Sequence, residues 1–317
     1  MAELLSYYIT GRKMARKSLK ESQGIIKRLL PVWLELKGEG TILEKVTVPE
    51  KKHVKKYFTK ENISPVVQNY KLSNAESNKL LGNSNIWEKV FEKIICFLQR
   101  EKFPAININL EGIKANQKEQ LNEFAKLAGE RFTENQISLE LSIPAKIEDN
   151  NSSWGGAYDY KKLGRYADKL MIMAYDYHWS GGPPGAISPF FWLRDVIDYS
   201  LMSCSPVKIY VGLPCYGYDW EVNNADKKAQ GLSFHQVMKL KERYSSRVEW
   251  DQESQTPFFK YRKQGQAHEV WFENGKSLQK KIKLIENYEL GGIVFWRLGL
   301  EDMALWEKIR KREKFKK

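Results

Sequence analysis

Eight strand-like runs alternate with helix-like stretches along this chain of 317 residues, and this alternation limits the possible folds most. Amphipathic stretches such as 85–102 and 117–132 lie between the runs. Eight such alternations over this length predict an α/β fold, specifically a (β/α)8 TIM barrel. Because strand order cannot be read from a sequence, a doubly wound sheet is the alternative. The predicted strands are 4–9, 30–36, 64–71, 105–111, 137–143, 169–176, 208–216 and 291–298.

The gap between the last two runs is too long for a single crossover connection. It contains a predicted helix over 233–244 and short strands around 248–251, 258–263 and 269–272. We therefore predict one barrel over residues 1–317, with a small α+β subdomain inserted at 221–275 before the last strand. No internal repeat or low-complexity linker divides the chain further.

The charge balance favours anionic partners. The chain has 52 Lys and Arg residues against 39 Asp and Glu, a formal net charge of +13, which suits nucleic acid, acidic lipids or an anionic cell-wall polymer. No nucleic-acid-binding motif occurs and the basic residues are scattered outside the C-terminal tail, so we expect no nucleic-acid partner. The 10 Trp and 16 Tyr residues suit a groove that stacks sugar rings, although aromatic residues are also common in cores.

Cysteine, membrane and targeting signals are weak. Cys96, Cys204 and Cys215 show no metal-type spacing, so we expect neither a disulfide framework nor a metal site. No apolar run has membrane-spanning length, and the first residues are too polar for a secretory signal. We expect a chain that stays inside the cell that makes it or that has lost its targeting segment. Nothing in the sequence indicates an oligomer, so we expect a monomer.

Segment 104–111 carries the strongest chemical signal. Its apolar side chains at 106, 108 and 110 alternate with Asn107, Asn109 and Glu111, which predicts one strand with two different faces. A solvated strand face normally carries Lys or Thr, whereas this face carries two amides and a carboxylate at the C-terminal end. Barrel strands place catalytic groups at that end.

Four motifs follow one another along the chain. Segment 104–111 reads Pro-Ala-Ile-Asn-Ile-Asn-Leu-Glu, 173–178 reads Met-Ala-Tyr-Asp-Tyr-His, 211–220 reads Val-Gly-Leu-Pro-Cys-Tyr-Gly-Tyr-Asp-Trp, and 291–299 reads Gly-Gly-Ile-Val-Phe-Trp-Arg-Leu-Gly. They are similar to strand signatures of glycoside hydrolase family 18, the first of which is Asp-x-x-Asp-x-Asp-x-Glu. The chain resembles this family over nearly its whole length, and within it the bacterial spore-germination and cortex-lytic branch.

The resemblance implies a retaining, substrate-assisted glycosidase, in which the acetamido oxygen of the sugar attacks the anomeric carbon. It implies that Glu111 is the proton donor and that Tyr175 and Asp176 hold the acetamido group and the distorted sugar. Trp296 would form the floor under the sugar at the cleavage point, and no cofactor or metal is expected. Further substrate contacts are expected at Asn107, Met173, Tyr216, Trp220 and Tyr8.

The chain departs from the signature at Pro104, Asn107 and Asn109, each of which stands where the family has Asp. Asn109 matters most, because the matching Asp shares a proton with Glu111 and grips the acetamido N–H. An amide oxygen still accepts that N–H, but it supplies no negative charge. Loss of one preorganised electrostatic contact commonly costs on the order of two or more powers of ten in rate.

Two functions are consistent with these residues. The first is a glycosidase that cuts β-1,4 bonds of N-acetylglucosamine-containing glycan, either spore cortex peptidoglycan or a chitin-like oligomer, in a spore-associated or wall-associated setting. The second is a carbohydrate-binding protein with weakened or lost catalysis, an alternative that Asn109 leaves open. The presence of Glu111, Tyr175, Asp176 and Trp296 together favours the enzyme. A nucleic-acid binder ranks below both.

Overall fold

The computed structural model describes residues 2–149, 154–222, 224 and 227–314, and its main feature is a closed ring of parallel strands. The strands of the chain are β1 (Glu3–Tyr8), β2 (Arg28–Leu36), β3 (Ile42–Glu44), β4 (Val66–Asn69), β5 (Ala105–Asn109), β6 (Ser138–Pro144), β7 (Lys169–Met173), β8 (Ile209–Pro214), β9 (Tyr216–Glu221), β10 (Gln230–Ser233), β11 (Glu249–Asp251), β12 (Thr256–Lys263), β13 (Gln266–Phe272) and β14 (Gly292–Trp296).

The ring runs in the order β1-β14-β8-β7-β6-β5-β4-β2, and β2 pairs in parallel with β1 to close it. The short β3 adds to β2 in antiparallel orientation. Closure confirms the predicted (β/α)8 barrel, because a doubly wound sheet would leave two open edges. Each of the eight predicted runs overlaps one strand of the ring.

The helices of the chain are α1 (Lys13–Glu21), α2 (Val48–Val54), α3 (Asn74–Leu81), α4 (Trp87–Glu101), α5 (Lys118–Glu134), α6 (Tyr160–Tyr166), α7 (Phe190–Ser203), α8 (Phe234–Arg243), α9 (Gly275–Asn287) and α10 (Ala304–Lys314). The predicted amphipathic stretches correspond to α4 and α5. In α4 the apolar face contains Val90, Ile94 and Leu98, which are fully buried in the large core between helices and ring. This spacing of four residues places all three side chains on one side of the helix.

Side chains of each barrel strand alternate between two cores, since successive residues point to opposite faces. Leu5 and Tyr7 of β1 join a small cluster formed by ring strands alone, together with Met171 and Val294. Tyr8 belongs instead to the large outer core. Tyr7 therefore faces the inside of the ring, whereas Tyr8 faces the surrounding helices.

A second, antiparallel sheet lies between β8 and β14 along the chain, in the order β10-β9-β13-β12-β11. It has its own apolar cluster, which includes Val237 of α8 and Phe259 and Val270 of the sheet. Its first strand, β9, begins at Tyr216, before the predicted insertion boundary at residue 221. The chain leaves the ring at Cys215, whose N–H donates to the Trp296 carbonyl at 2.8 Å.

The three cysteines are free thiols, and Cys215 is buried. Within the described ranges, no helix is both long enough and apolar enough to cross a membrane.

Candidate active site

The segment after β5 carries Glu111 at the C-terminal mouth of the ring, and side chains from the neighbouring strand and helix hold its backbone. Asn69, the last residue of β4, accepts the Glu111 N–H through Oδ1 at 3.1 Å and donates from Nδ2 to the Glu111 carbonyl at 3.4 Å. Ser77 of α3 donates to the same carbonyl at 2.7 Å. Both backbone polar groups of Glu111 are therefore fixed, which sets the direction of its side chain.

Gly112 allows the chain to turn away immediately after Glu111. Its φ of +68° is a conformation that other residues adopt only with strain. A Cβ at this position would lie 1.8 Å from Oδ1 of Asn74. Glycine is therefore required here by both conformation and space.

Asn109 is the direct polar neighbour of the Glu111 carboxylate. Its Nδ2 donates to Glu111 Oε1 at 2.8 Å, while its Oδ1 is buried and has no partner among the described residues. A donor bound to one carboxylate oxygen favours the ionised form. The pair found here thus works against protonation of Glu111, unlike the proton-sharing carboxyl pair of the family signature.

Burial nevertheless raises the pKa of Glu111 above its ordinary value. The hydrogen bond from Asn109 opposes this rise, and the negative charge of Asp176 adds to it. Glu111 therefore keeps its proton at a higher pH than an exposed glutamate, which is what a general acid needs.

Asp176 lies just beyond β7 and is held by two phenols from the second sheet. Tyr216 and Tyr218 of β9 both donate to Asp176 Oδ1, the latter at 3.1 Å. Desolvation raises the pKa of Asp176, and the two phenolic hydrogen bonds counter part of that rise. The residue also has a positive φ of 61°, which for a non-glycine residue marks a constrained position.

Trp296 ends β14 and contacts two tyrosines at the mouth. Its ring centroid is 5.1 Å from that of Tyr7, edge to face, and 6.4 Å from that of Tyr175, stacked at 25°. The peptide bond that follows Trp296 is cis. The Tyr175 hydroxyl has no hydrogen-bond partner in the described part of the chain, so it is available to a ligand.

These groups surround one cavity of about 810 Å³. The predicted site residues that line it are Asn109, Glu111, Met173, Tyr175, Asp176, Tyr216 and Trp296.

Three predicted site residues do not line the cavity. The first of them is Tyr8. The Tyr8 side chain points away from the ring interior, and its hydroxyl donates to Glu50 Oε1 at 2.7 Å. Tyr7 lines the cavity instead, because strand alternation gives the two residues opposite faces.

The other two lie behind the cavity wall. Asn107 is fully buried, and its Oδ1 accepts from Ser142 at 2.8 Å. Ser142 in turn shares a 2.6 Å hydrogen bond with Tyr7, so Asn107 supports the wall from beneath. Trp220 donates from Nε1 to the Gly182 carbonyl at 3.0 Å and packs edge to face on Tyr218.

Several residues of the site were not predicted from the sequence. Asn69 and Ser77 act on Glu111 from another strand and from a helix, and no local pattern distinguishes them. Tyr218 was detectable, because it shares a strand face with Tyr216 two residues earlier. Further unpredicted residues that line the cavity include Tyr7, Ile9, Arg12, Lys13, Leu72, Trp154, His235 and Arg297.

Comparison with known proteins places this chain in a family. Residues 70–301 match the sequence model of Glycosyl hydrolases family 18. The chain is 25% identical over 314 residues to the "Uncharacterized glycosylase YvbX" of Bacillus subtilis (strain 168), covering 97% of this chain and 90% of that protein. It is 30% identical over 244 residues to the "Cortical fragment-lytic enzyme" of the same organism, covering 76% of this chain but only 57% of that protein.

Among solved structures, the spore cortex-lytic enzyme SleL of Bacillus megaterium QM B1551 is similar, with a TM-score of 0.86 and 27% identity. The alignment covers 98% of this chain and 73% of that chain. Because the family model matches residues 70–301, more than half of the chain, the chain belongs to glycosyl hydrolase family 18 and is a glycosidase.

Proposed function

We propose that this chain hydrolyses β-1,4 bonds that follow N-acetylglucosamine in a peptidoglycan glycan, with Glu111 as the proton donor. The observation that carries the proposal is the convergence of Glu111, Tyr175, Asp176 and Trp296 on one cavity, with burial raising the pKa of Glu111. This is the set of residues that a retaining, substrate-assisted mechanism requires of the protein.

Binding would place the apolar CH face of one sugar on the indole of Trp296. The Tyr175 hydroxyl, which has no partner among the described residues, would then donate to the acetamido oxygen of that sugar. Oδ1 of Asn109, buried and equally without a partner, would accept the acetamido N–H. These contacts would hold the acetamido oxygen against the anomeric carbon, in the arrangement that shortens the path to the cyclic intermediate.

In the first step the glycosidic oxygen takes the proton of Glu111 and leaves, while the acetamido oxygen forms a bond to the anomeric carbon. The resulting oxazolinium ion is positively charged, and the Asp176 carboxylate would stabilise that charge. In the second step a water molecule attacks the same carbon, the bond between that carbon and the acetamido oxygen breaks, and the water gives a proton to the Glu111 carboxylate. The configuration at the anomeric carbon is retained, and Glu111 returns to its initial state.

Spore cortex peptidoglycan is the substrate that the comparisons support best. The relative that shares 30% identity is called a cortical fragment-lytic enzyme, and a structurally similar protein is called a spore cortex-lytic enzyme. The net charge of +13 suits an anionic wall polymer. We propose a spore-associated role on the same grounds.

The release of reducing ends from purified cortex peptidoglycan tests the proposal, with Glu111→Gln as the inactivated variant and Glu123→Gln, on the exposed side of α5, as the control. We expect the first variant to be about 10²–10⁴-fold slower than the unaltered protein and the control to be unchanged. Equal rates for the unaltered protein and Glu111→Gln would remove the catalytic role of Glu111.

Asn109 favours a second candidate function, glycan binding without turnover, because its amide replaces the charge that assists the acid. Pull-down with insoluble peptidoglycan distinguishes the two functions. Binding by a protein that releases no reducing ends would establish the second candidate, whereas turnover that depends on Glu111 would exclude it.

A further inference from the structure

Glu273 and Lys281 form an ion pair that is shut off from solvent. Glu273 directly follows β13, Lys281 lies in α9, and both side chains are fully buried. Lys281 Nζ donates a hydrogen bond to Glu273 Oε1. Burial raises the pKa of Glu273 and lowers that of Lys281, and the charge of each partner opposes the shift of the other. Each residue therefore needs the other in order to stay charged, and the reaction proposed above involves neither of them.

The ion pair joins the second sheet to the helix layer of the barrel. The buried side of α9 includes Leu278, Ile282 and Ile285, which belong to the large outer core. At the other end of the pair, Glu273 continues a strand of the second sheet. The contact with Lys281 therefore fixes the end of β13 relative to the body of the barrel.

The end of β13 in turn fixes the start of β9. The Glu273 N–H donates to the Tyr216 carbonyl at 3.1 Å, and Phe272 lies opposite Gly217 in the antiparallel pairing. A Cβ at Gly217 would lie 2.6 Å from the Phe272 Cβ, so the two strands approach each other closely at this point. The position of Tyr216 therefore depends on the position of Glu273.

We propose that this ion pair positions β9 so that Tyr216 and Tyr218 can both donate to Asp176. In this sense Glu273 and Lys281 are positioning residues, and their consequence for catalysis rests on the proposed function. A buried ion pair adds little net stability compared with apolar residues of similar size, but it requires a short and directed contact. Such a contact suits the placement of a hydroxyl, because a hydrogen bond weakens steeply when its geometry changes.

Other titratable groups face Asp176 and the ion pair, and the test leaves them in place. The charge of Asp176 acts on Glu111 and Tyr175, and the charge of Glu273 raises the pKa of Cys215. Among the described residues, the side-chain hydrogen bonds to Asp176 come from the two phenols of β9. A change in the ion pair should therefore reach Asp176 through these phenols.

The pKa of Asp176 tests the inference directly. It is measured by NMR from the pH titration of the side-chain carboxyl carbon, with Asp176→Asn to assign the signal. Glu273→Gln combined with Lys281→Met removes both charges and nearly keeps the size of each side chain. We expect this double variant to raise the pKa of Asp176, because weaker phenolic hydrogen bonds stabilise its carboxylate less. When Tyr216→Phe and Tyr218→Phe are already present, the same double substitution should produce no further shift.

Glu101→Gln combined with Lys51→Met is the matched control. This ion pair is also largely buried, with side-chain exposures of 15% for Glu101 and 9% for Lys51, and neither residue lines the cavity. The control should leave the pKa of Asp176 unchanged. Glu273→Asp is a milder second variant, which keeps both charges but shortens one side chain. It should shift the pKa of Asp176 in the same direction, and it decides the question if the double variant does not fold.

Three results would overturn the inference and leave the ion pair a purely structural role. They are an unchanged pKa of Asp176 in a variant that circular dichroism shows to be folded, an equal shift in the absence of both phenols, and an equal shift in the control. The titration needs no substrate, so its outcome does not depend on the proposed function. With cortex peptidoglycan as substrate, the acidic limb of kcat should move together with the pKa of Asp176. A limb that stays in place while this pKa moves, or absence of turnover in the unaltered protein, would contradict the proposed function and not the role of the ion pair.

Discussion

The Asn109 amide donates a 2.8 Å hydrogen bond to the carboxylate of Glu111. An amide in this place stabilises the ionised form of the acid, whereas a carboxylate would disfavour that form by charge repulsion. The site therefore depends on burial and on the more distant charge of Asp176 to keep Glu111 protonated. The pKa of Glu111 is therefore raised by fewer neighbouring negative charges than the family signature would supply.

Asn109→Asp should increase turnover. The new carboxylate would raise the pKa of Glu111 and add negative charge beside the developing cation, so we expect a gain in kcat on the order of ten-fold or more. Steady-state kinetics on a soluble muropeptide provides the measurement. Asn109→Ala, which removes the donor without adding charge, is the control, and a rate for Asn109→Asp at or below that of the unaltered chain would contradict the role given to this position.

The pH profile should report the raised pKa of Glu111. Because the acid must be protonated to act, activity should fall as pH rises through the pKa of Glu111, and that alkaline limb should lie above the ordinary range of a glutamate. In Asn109→Asp the same limb should move to higher pH. If the alkaline limb does not move in Asn109→Asp, that limb reports the titration of a group other than Glu111.

Replacement of the two phenols that hold Asp176 should shift the other limb of the profile. Their hydrogen bonds lower the pKa of Asp176, so Tyr216→Phe and Tyr218→Phe should each raise it, and the double variant should raise it most. If ionised Asp176 is required, the acidic limb of kcat moves to higher pH. Tyr261→Phe, which removes a comparable phenolic bond to Asp219, should leave that limb in place.

A comparison of alanine variants at Gly112 and Gly265 separates the effect of backbone strain from the effect of a steric clash. Both have positive φ, +68° and +82°, but a Cβ at Gly265 meets nothing within 4 Å, whereas one at Gly112 collides with Asn74. Gly265→Ala should cost about 1–2 kcal/mol of unfolding free energy through backbone conformation alone. Gly112→Ala should cost more and should also lower kcat, because it displaces Glu111. Denaturant unfolding measures the loss of stability, and steady-state kinetics measures the loss of kcat. Similar losses in Gly112→Ala and Gly265→Ala would contradict the prediction, because they would show that Asn74 moves away from the new Cβ at no cost.

The ring of strands could be predicted because each strand has its own short-range pattern and eight of them recur. Tyr8, the expected substrate contact of β1, does not line the cavity, whereas the neighbouring Tyr7 does. A single aromatic pair gives no indication of which member faces inward until the strand is aligned with its neighbours.

The catalytic candidates could be predicted because they follow strand ends directly in sequence. The residues that hold them could not. Asn69 fixes the backbone of Glu111 across 42 positions of sequence, and only closure of the ring brings them together. Arg12 and Arg297, from near opposite ends of the chain, likewise line one cavity only because β1 pairs with β14.

Tyr216 and Tyr218 belong to the second sheet, yet the carboxylate that they hold belongs to the ring. A shortened protein that reconnected β8 directly to β14 would retain every strand of the cylinder and still lose both phenols that steady Asp176. The inserted sheet therefore contributes two hydrogen-bond donors to the candidate active site, and exchanging that sheet between relatives should change the pKa of Asp176, a residue outside it.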